Sequence, residues 1–149
     1  MEWAKNAPTV EQTEANTRRA IARTLAREDI RIHLHLKDGM FVGGSGFHRP
    51  DWSVPRVEIG YWIRTGLAGR GYMTEAVKAM KTFALDGLKV QRVEIRTDAR
   101  NDRSRRVAER AGYVLEATLR NECRDAAGEL RDTLVYAVVP SQSQPLAIT

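Results

Sequence analysis

The sequence has few of the residues that would crosslink the chain or hold it in a membrane. Cys123 is the only cysteine among 149 residues, so no intramolecular disulfide can form and a cysteine-based zinc site lacks its ligands. No apolar run approaches the ~20 residues that a membrane-spanning helix needs. Residues 1–19 contain no apolar core of the kind found in signal peptides. These absences favour a cytoplasmic location.

The composition is that of an ordinary folded domain with excess positive charge. Hydrophobic residues make up 42% and charged residues 29% of the chain, which argues against a disordered or fibrous protein. We expect one domain over residues 1–139 and a flexible, polar tail over 140–149. The formal net charge of +5 favours an anionic partner, either a phosphorylated small molecule or a nucleic acid.

Helical and strand patterns alternate along the chain, which predicts a mixed α+β domain. Thr9 can cap the first helix, and Gly112 can end the last one. The unit over residues 57–97 should pair its two strands in parallel or splay them, whereas the last two strands should be antiparallel. The predicted elements are a helix at 10–29, strands at 31–36, 40–47 and 57–63, a helix at 71–88, a strand at 92–97, a helix at 102–111, and strands at 113–124 and 130–139.

The segment from Arg64 to Ala76 (RTGLAGRGYMTEA) joins the end of a strand to an amphipathic helix. Three glycines fall within a six-residue stretch of this segment, at positions 66, 69 and 71. Glycines before a helix N-terminus allow backbone N–H groups to converge, and the helix dipole adds positive charge there. Arg70 can add a full charge. The pattern predicts an anion site suited to a phosphate or pyrophosphate.

Two well-known phosphate loops do not match this segment. The Walker loop ends in Gly-Lys-Ser/Thr, which is absent here. The dinucleotide fingerprint needs a third glycine three residues after Gly71, where Thr74 stands. From the loop alone, a glycine-rich turn that only reverses the chain remains open.

Four motifs in order connect this loop with its surroundings, and together they resemble the GNAT family of N-acetyltransferases. Within that family the likeness is to the ribosomal-protein alanine/serine N-acetyltransferase group, and it extends over residues 9–139. The motifs are Glu58-Ile59-Gly60-Tyr61-Trp62, Gly69-Arg70-Gly71-Tyr72-Met73-Thr74-Glu75-Ala76, Asn101-Asp102-Arg103-Ser104 and Val107-Ala108-Glu109-Arg110-Ala111-Gly112-Tyr113.

The resemblance implies a central mixed, mostly antiparallel twisted sheet with a splayed strand pair and flanking helices. It implies direct transfer of the acetyl group of acetyl-CoA to an amine, with no metal. The chain departs from the family pattern in two ways. Gly66 stands three residues before the first glycine of the family motif, where Gln or Arg is usual. We also expect the chain to begin after the family's first strand and helix. We expect the second departure to leave a sheet edge near His33–Leu36, through which two copies could pair.

The resemblance also implies the roles of individual residues. Glu58 is the first candidate for the general base and Glu122 the second, while Ser104 is the candidate proton donor to the departing thiolate. The structural alternatives are an ion pair for Glu58 and a helix-capping role for Ser104. Tyr113 is expected in the core. The implied cofactor-binding residues are Trp62, Ile63, Arg64, Leu67, Ala68, Gly69, Arg70, Gly71, Tyr72, Asn101 and Ser104.

The acceptor is expected to be an N-terminal α-amine of a protein or peptide, such as a ribosomal protein, with a small-molecule amine as the alternative. Freeing an α-amine with a pKa of ~7.7–8.0 at pH 7 costs about 1 kcal/mol, compared with about 4.6 kcal/mol for lysine. A weaker catalytic base is therefore enough to deprotonate an α-amine.

Other residues admit other functions. His33 and His35 share a strand face that is better explained as exposed to water than as a metal site. Cys123 has no evident partner histidine for a nucleophilic role. An arginine-rich segment supports a second class of function, an RNA- or ribosome-binding module on a degenerate acetyltransferase fold. Its arginines could instead be a solvated face paired with Glu94, Asp98, Asp102 and Glu109, or contact the 3′-phosphate of coenzyme A in part. They are Arg92, Arg96, Arg100, Arg103, Arg105, Arg106 and Arg110.

Overall fold

The computed structural model describes residues 7–140, in which six strands form a single sheet. The strand order is β1-β2-β3-β4-β6-β5, and every neighbouring pair is antiparallel except β3 and β4. The predicted mixed, mostly antiparallel sheet is therefore confirmed. In chain order the elements are α1 (Val10–Leu25), β1 (Ile30–His35), β2 (Phe41–Asp51), β3 (Arg56–Ile63), α2 (Tyr72–Thr82), β4 (Arg92–Asp98), α3 (Asp102–Arg110), β5 (Val114–Arg124) and β6 (Leu130–Val138).

Strands β3 and β4 lie side by side at their first residues only. Their parallel register runs from Arg56↔Arg92 to Glu58↔Glu94, and the pairing ends there. The splayed pair predicted from the sequence is confirmed, with a short parallel start. Because β4 continues instead beside β6, the second half of β3 borders a gap in the sheet.

The core lies between the sheet and helices α2 and α3. On β3, Val57 and Ile59 are buried, while Tyr61, two residues further along, packs partly buried against the same core. In the amphipathic helix predicted at 71–88, Met73, Val77, Met80 and Ala84 fall at helical spacing and are buried, and Leu88 is half-buried. Tyr113, expected in the core, is 4% exposed. The periodicities of two in strands and 3.6 in helices thus place the core correctly.

Two helices end earlier than the sequence predicts. Helix α1 stops at Leu25, not Asp29, because Arg27 has a left-handed φ of 56° and the Thr24 hydroxyl donates to the Asp29 carbonyl. The α-helical part of α2 ends at Thr82 and continues as a wider π-helical turn over Phe83–Gly87. A Cβ on Gly87 would lie 3.0 Å from the Phe83 ring, so this glycine leaves room for the wider turn.

Strand β1 is one of the two edge strands of the sheet within residues 7–140. Ile32 and Leu34 are half-buried and His33 and His35 are exposed, as expected for a strand with one wet face. Within residues 7–140, β1 pairs with β2 alone. The expected tail at 140–149 lies outside the described residues apart from Pro140, as does most of the segment before Thr9. In the described range no helix is both long and apolar enough to cross a bilayer.

Candidate active site

The loop between β3 and α2 presents a run of backbone donors. Gly71 caps α2 with a left-handed φ of 82°, and Gly69 has a φ of 78°. Among the backbone hydrogen bonds of residues 7–140, none uses the N–H groups of residues 69–74. A Cβ at either glycine would meet nothing within 4 Å, so the space beside the loop is open. The amides and the helix dipole together suit a bound anion.

This loop forms one wall of a cleft of about 430 Å³, which we call the glycine-loop cleft. The end of β3 and one face of α3 form the other walls. The cleft therefore runs from the phosphate-binding geometry of the loop into the gap beside β3. Its lining residues include Tyr61, Trp62, Ile63, Ala68, Gly69, Gly71, Tyr72, Asn101, Ser104 and three arginines of α3, Arg103, Arg106 and Arg110.

A second cleft of about 450 Å³, the carboxylate cleft, lies between β3 and β4 and reaches β5 and β6. Glu58 and Glu122 both line it, as do Arg49, Arg96 and Cys123. The two candidate bases predicted from the sequence thus share one polar cavity. Within residues 7–140, no group of three or more His, Cys, Asp or Glu side chains is arranged to hold a metal ion.

The two clefts share a wall made of Tyr61, Asn101 and Ser104, each of which lines both. The Asn101 side chain caps α3 by accepting a hydrogen bond from the Ser104 N–H at 3.1 Å. Asn101 therefore takes the capping role that was the structural alternative for Ser104. The Ser104 Oγ lies 2.9 Å from the Tyr61 hydroxyl instead. The pair places two proton-carrying hydroxyls between the clefts, and burial raises the pKa of Tyr61.

Glu58 combines partial burial with weak pairing. Its side chain is 19% exposed and its carboxylate lies 3.6 Å from Arg49. Burial raises the pKa of Glu58, although the positive charges of Arg49 and Arg96 oppose the shift. A carboxylate whose pKa moves toward neutrality is better matched to general-base work at pH 7.

Glu122 is held more firmly and has the opposite shift. The Thr133 hydroxyl donates to its carboxylate at 2.8 Å, and Arg96 lies 3.8 Å away. The hydrogen bond from Thr133 is the main reason that the pKa of Glu122 is lowered. Of the two candidate bases in the cleft, Glu58 is the stronger.

The structure brings most of the predicted cofactor residues together and places three elsewhere. Eight of them line the glycine-loop cleft. Arg64 and Leu67 border a smaller surface pocket beside Met40, and the Arg64 guanidinium donates to the Phe41 carbonyl at 3.1 Å. Arg70 is exposed and is not among the residues that line the clefts. A short 3₁₀ turn over Thr65–Leu67 connects Arg64 to Ala68, which lines the cleft.

Comparison with known proteins assigns the chain to a family. The family model for the acetyltransferase (GNAT) domain matches residues 1–114. The chain is a member of the GNAT family. The fold described above agrees with this, and the resemblance predicted from the four motifs is confirmed.

Two curated GNAT relatives point toward ribosomal proteins by their names. YdaF of Bacillus subtilis, provisionally named a ribosomal N-acetyltransferase, is 36% identical over 86 residues, which are 58% of this chain and 47% of that protein. The ribosomal-protein-serine acetyltransferase of Escherichia coli is 25% identical over 123 residues, 80% of this chain and 69% of that protein. The chain thus spans about half the length of the first relative and about two thirds of the second.

A solved GNAT structure shows the same fold. It is RimL, a ribosomal alpha-N-protein acetyltransferase in complex with coenzyme A. It superposes with a TM-score of 0.84 at 20% identity, over 93% of this chain and 77% of that chain.

Sequence reasoning gave no functional role to Tyr61. The available signal was the strand alternation, which requires one of Tyr61 and Trp62 to face inward. The structure shows that it is Tyr61, because Trp62 remains 38% exposed. Cys123 is half-buried, as expected for a small residue without a nucleophilic role, and lines the carboxylate cleft.

Proposed function

We propose that this GNAT protein is an acetyl-CoA-dependent N-acetyltransferase, and that its acceptor is the N-terminal α-amine of a protein or peptide. The observation that carries the proposal is the pair of clefts with a common wall. One has the backbone donors that a pyrophosphate needs, and the other has a half-buried carboxylate with a raised pKa. We also propose that the protein acts in the cytoplasm.

The donors of the glycine-loop cleft fit the polyphosphate part of coenzyme A. Six amides that have no hydrogen-bond acceptor within residues 7–140, two left-handed glycines and open space beside them suit a pyrophosphate at the start of α2. The gap between β3 and β4 leaves room for an extended arm alongside β3. When bound, acetyl-CoA supplies the acetyl group as an activated thioester.

Each residue of the site then has a defined task in the transfer. The amine nitrogen forms a bond to the acetyl carbon as the carbon–sulfur bond breaks. Glu58 takes the proton that the amine loses, directly or through one water. Ser104 donates a proton to the departing sulfur and recovers one from solvent, to which Glu58 releases the proton of the amine. The Tyr61 hydroxyl, which donates to the Ser104 carbonyl and lies 2.9 Å from the Ser104 Oγ, positions the serine.

The environment of Glu58 favours an α-amine over a lysine. A carboxylate with a modestly raised pKa can deprotonate a group of pKa ~7.7–8.0 far more readily than one of ~10.4. The names of both curated relatives support a ribosomal protein as the source of that amine. A small-molecule amine remains the second candidate because the carboxylate cleft is polar and open.

Binding and acceptor assays test the proposal in turn. Acetyl-CoA at ~100 times its Kd should add about 2.7 kcal/mol of stability, a rise in Tm on the order of 5–10 °C. ATP serves as the control ligand. Acceptors are then compared: a peptide with a free α-amine, the same peptide blocked at its N-terminus but carrying lysine, and a polyamine. Failure of acetyl-CoA to shift the Tm would refute the proposed cofactor, and preferred acetylation of the polyamine would refute the proposed acceptor.

The edge strand β1 supports a proposal about assembly. An edge whose backbone groups lack a second neighbouring strand within residues 7–140 can pair with the same strand of another chain. We expect a homodimer, which sedimentation velocity would detect. A monomer at all concentrations tested would contradict this expectation.

A further inference from the structure

Three arginines line the carboxylate cleft, and their guanidinium groups are held only loosely. They are Arg49 on β2, Arg96 on β4 and Arg131 on β6, and we call them the cleft arginines. Each forms one ion pair with a carboxylate, at 3.6, 3.8 and 3.9 Å respectively, and within residues 7–140 none of them donates a hydrogen bond to a carboxylate. By contrast, Arg92, which lies outside the cleft, holds two glutamates at 2.6 Å each. Most N–H donors of the cleft arginines therefore remain available to a bound group.

Arg96 and Arg131 are mostly buried, so the sheet sets their positions. Their side chains are only 28% and 25% exposed. The neighbours of Arg96 on β4, Ile95 and Thr97, are buried, and strand alternation turns the Arg96 side chain to the other face of the sheet. The Arg131 guanidinium donates to a threonine hydroxyl at 3.2 Å. A largely buried cation that lacks a close carboxylate has lost water without full replacement, so a ligand that supplies an anion is favoured.

Arg49 reaches the cleft from a distorted end of β2. Its φ of 45° lies in the left-handed region, which residues other than glycine rarely adopt. The pairing of β2 with β3 shifts register between His48 and Asp51, as at a β-bulge. Bulges change the direction of side chains, and this one leaves the exposed Arg49 guanidinium 3.6 Å from Glu58. A third positive charge therefore lies beside the candidate base.

The formal charges of the cleft leave an excess of one positive charge. Besides the cleft arginines, it is lined by the carboxylates of Glu58, Asp98 and Glu122. Asp98 is already bound by Arg100, which lies outside the cleft and donates to it at 2.7 and 3.1 Å. These hydrogen bonds lower the pKa of Asp98 to about 2. The three cleft arginines therefore face two carboxylates that pair with no other cation within residues 7–140. A ligand that brings one carboxylate would balance the charge.

We propose that the cleft arginines bind a carboxylate side chain on the second residue of the acceptor peptide, so that the protein prefers N-termini whose second residue is aspartate or glutamate. The inference rests on the proposed function, because it narrows the acceptor of that same site. Guanidinium groups match a carboxylate with charge-assisted hydrogen bonds, which are about twice as strong as those between neutral groups. A polyamine would instead meet like charges.

The register of the strands sets the distance between the reacting amine and this carboxylate. Glu58 pairs with Glu94, and Arg96 follows two residues later on β4, about 6–7 Å further along the strand. Consecutive Cα atoms of a peptide are about 3.8 Å apart, so an amine held at Glu58 can place the side chain of the next residue beside Arg96. A free amino acid carries its carboxylate on the same carbon as the amine and spans a shorter distance. The geometry therefore favours a peptide over a free acidic amino acid.

Acetylation kinetics with three matched peptides test the inference. All begin with serine and share one sequence except at the second and sixth residues. The first peptide has aspartate second and asparagine sixth, the second has asparagine at both places, and the third has asparagine second and aspartate sixth. The wild type should use the first peptide with a kcat/KM at least about tenfold above the other two, as expected for charge-assisted hydrogen bonds.

Variants of the cleft arginines and one matched control complete the experiment. The double variant R96Q/R131Q should use all three peptides about equally. R96Q alone, which perturbs the sheet less, should show an intermediate preference. The control R120Q removes an exposed arginine of β5 that lines neither cleft, and it should keep the wild-type preference. Thermal unfolding checks that each variant is folded, and the ratio between peptides separates recognition from a general loss of activity.

Four results would overturn the inference in distinguishable ways. Equal use of the first two peptides by the wild type refutes the acidic preference and leaves the α-amine acceptor intact. Equal use of the first and third shows attraction by overall charge rather than a contact at the second residue. A full preference retained by R96Q/R131Q removes these arginines from recognition. If acetyl-CoA raises the Tm but no peptide is acetylated, the proposed acceptor fails and this inference fails with it.

Discussion

Replacing Gly71 with alanine tests the loop at its most constrained position. The residue has a φ of 82°, where a side chain costs about 1–2 kcal/mol. Because nothing lies within 4 Å of the new Cβ, no clash adds to this cost. We expect the Tm to fall by about 2–8 °C. The larger effect should be on coenzyme A, whose pyrophosphate would meet the methyl group or a rotated amide. Losing one hydrogen bond to a charged group weakens binding by about 10–100-fold.

Variants at two other glycines serve as controls, which separate the effect of backbone strain from the effect of lost contact with the ligand. Gly39, in the turn between β1 and β2, has a φ of 91° and equally open space, but it lies outside the glycine-loop cleft. Gly66 belongs to the same loop as Gly71, has open space and has no left-handed φ. Gly39→Ala should lose as much stability as Gly71→Ala while binding coenzyme A normally, and Gly66→Ala should change neither.

Differential scanning fluorimetry and isothermal titration calorimetry on the four proteins give both quantities. Wild-type affinity in Gly71→Ala would refute the assignment of the loop as the anion site. An equal loss of affinity in Gly39→Ala would attribute the effect to instability rather than to the loop.

Further predictions concern the catalytic groups and the core. Glu58→Gln should lower kcat with little change in coenzyme A affinity. Burial raises the pKa of Glu58 above its ordinary value of 4.5. The wild-type rate should therefore fall as the pH drops through this raised pKa. A pH–rate profile of the variant should lack that decrease. Glu122→Gln should lose less activity in the same assay. Ser104→Ala should lower kcat and leave the Kd for coenzyme A unchanged; a matching loss of affinity would contradict its role as proton donor. Urea unfolding should show that Ile59→Ala costs about 2–5 kcal/mol, because Ile59 is 1% exposed, whereas Ile21→Ala, at 55% exposed, stays within about 0.5 kcal/mol.

Much of the fold could be read from the sequence because it depends on short-range periodicity. The helical spacing of Met73, Val77 and Met80 predicts the inner face of α2, and strand alternation predicts that one of Tyr61 and Trp62 faces inward. Local turn chemistry was equally informative at Thr9 and Gly112. These signals involve residues a few positions apart, so no knowledge of tertiary contacts is needed.

The environments of the site residues depend on contacts between distant segments, which a single sequence does not reveal. Thr133 reaches Glu122 across the β5–β6 pair, and the register shifts between Leu119 and Cys123, where Asn121 has a φ of 50°. An evenly spaced strand gives no sign of such a bulge, so the lowered pKa of Glu122 could not be anticipated. Similarly, the sequence suggests acidic partners for the arginines near α3, but only the three-dimensional arrangement shows which arginines remain unpaired.

The wall of Tyr61, Asn101 and Ser104 has a consequence for the order in which reactants come and go. In the proposed function, the cofactor and the amine occupy the two clefts on either side of that wall, so neither reactant has to leave before the other arrives. The reaction should therefore pass through a ternary complex, and double-reciprocal plots at several fixed amine concentrations should intersect rather than run parallel. Coenzyme A as product should compete with acetyl-CoA but not with the amine, because the two occupy different cavities.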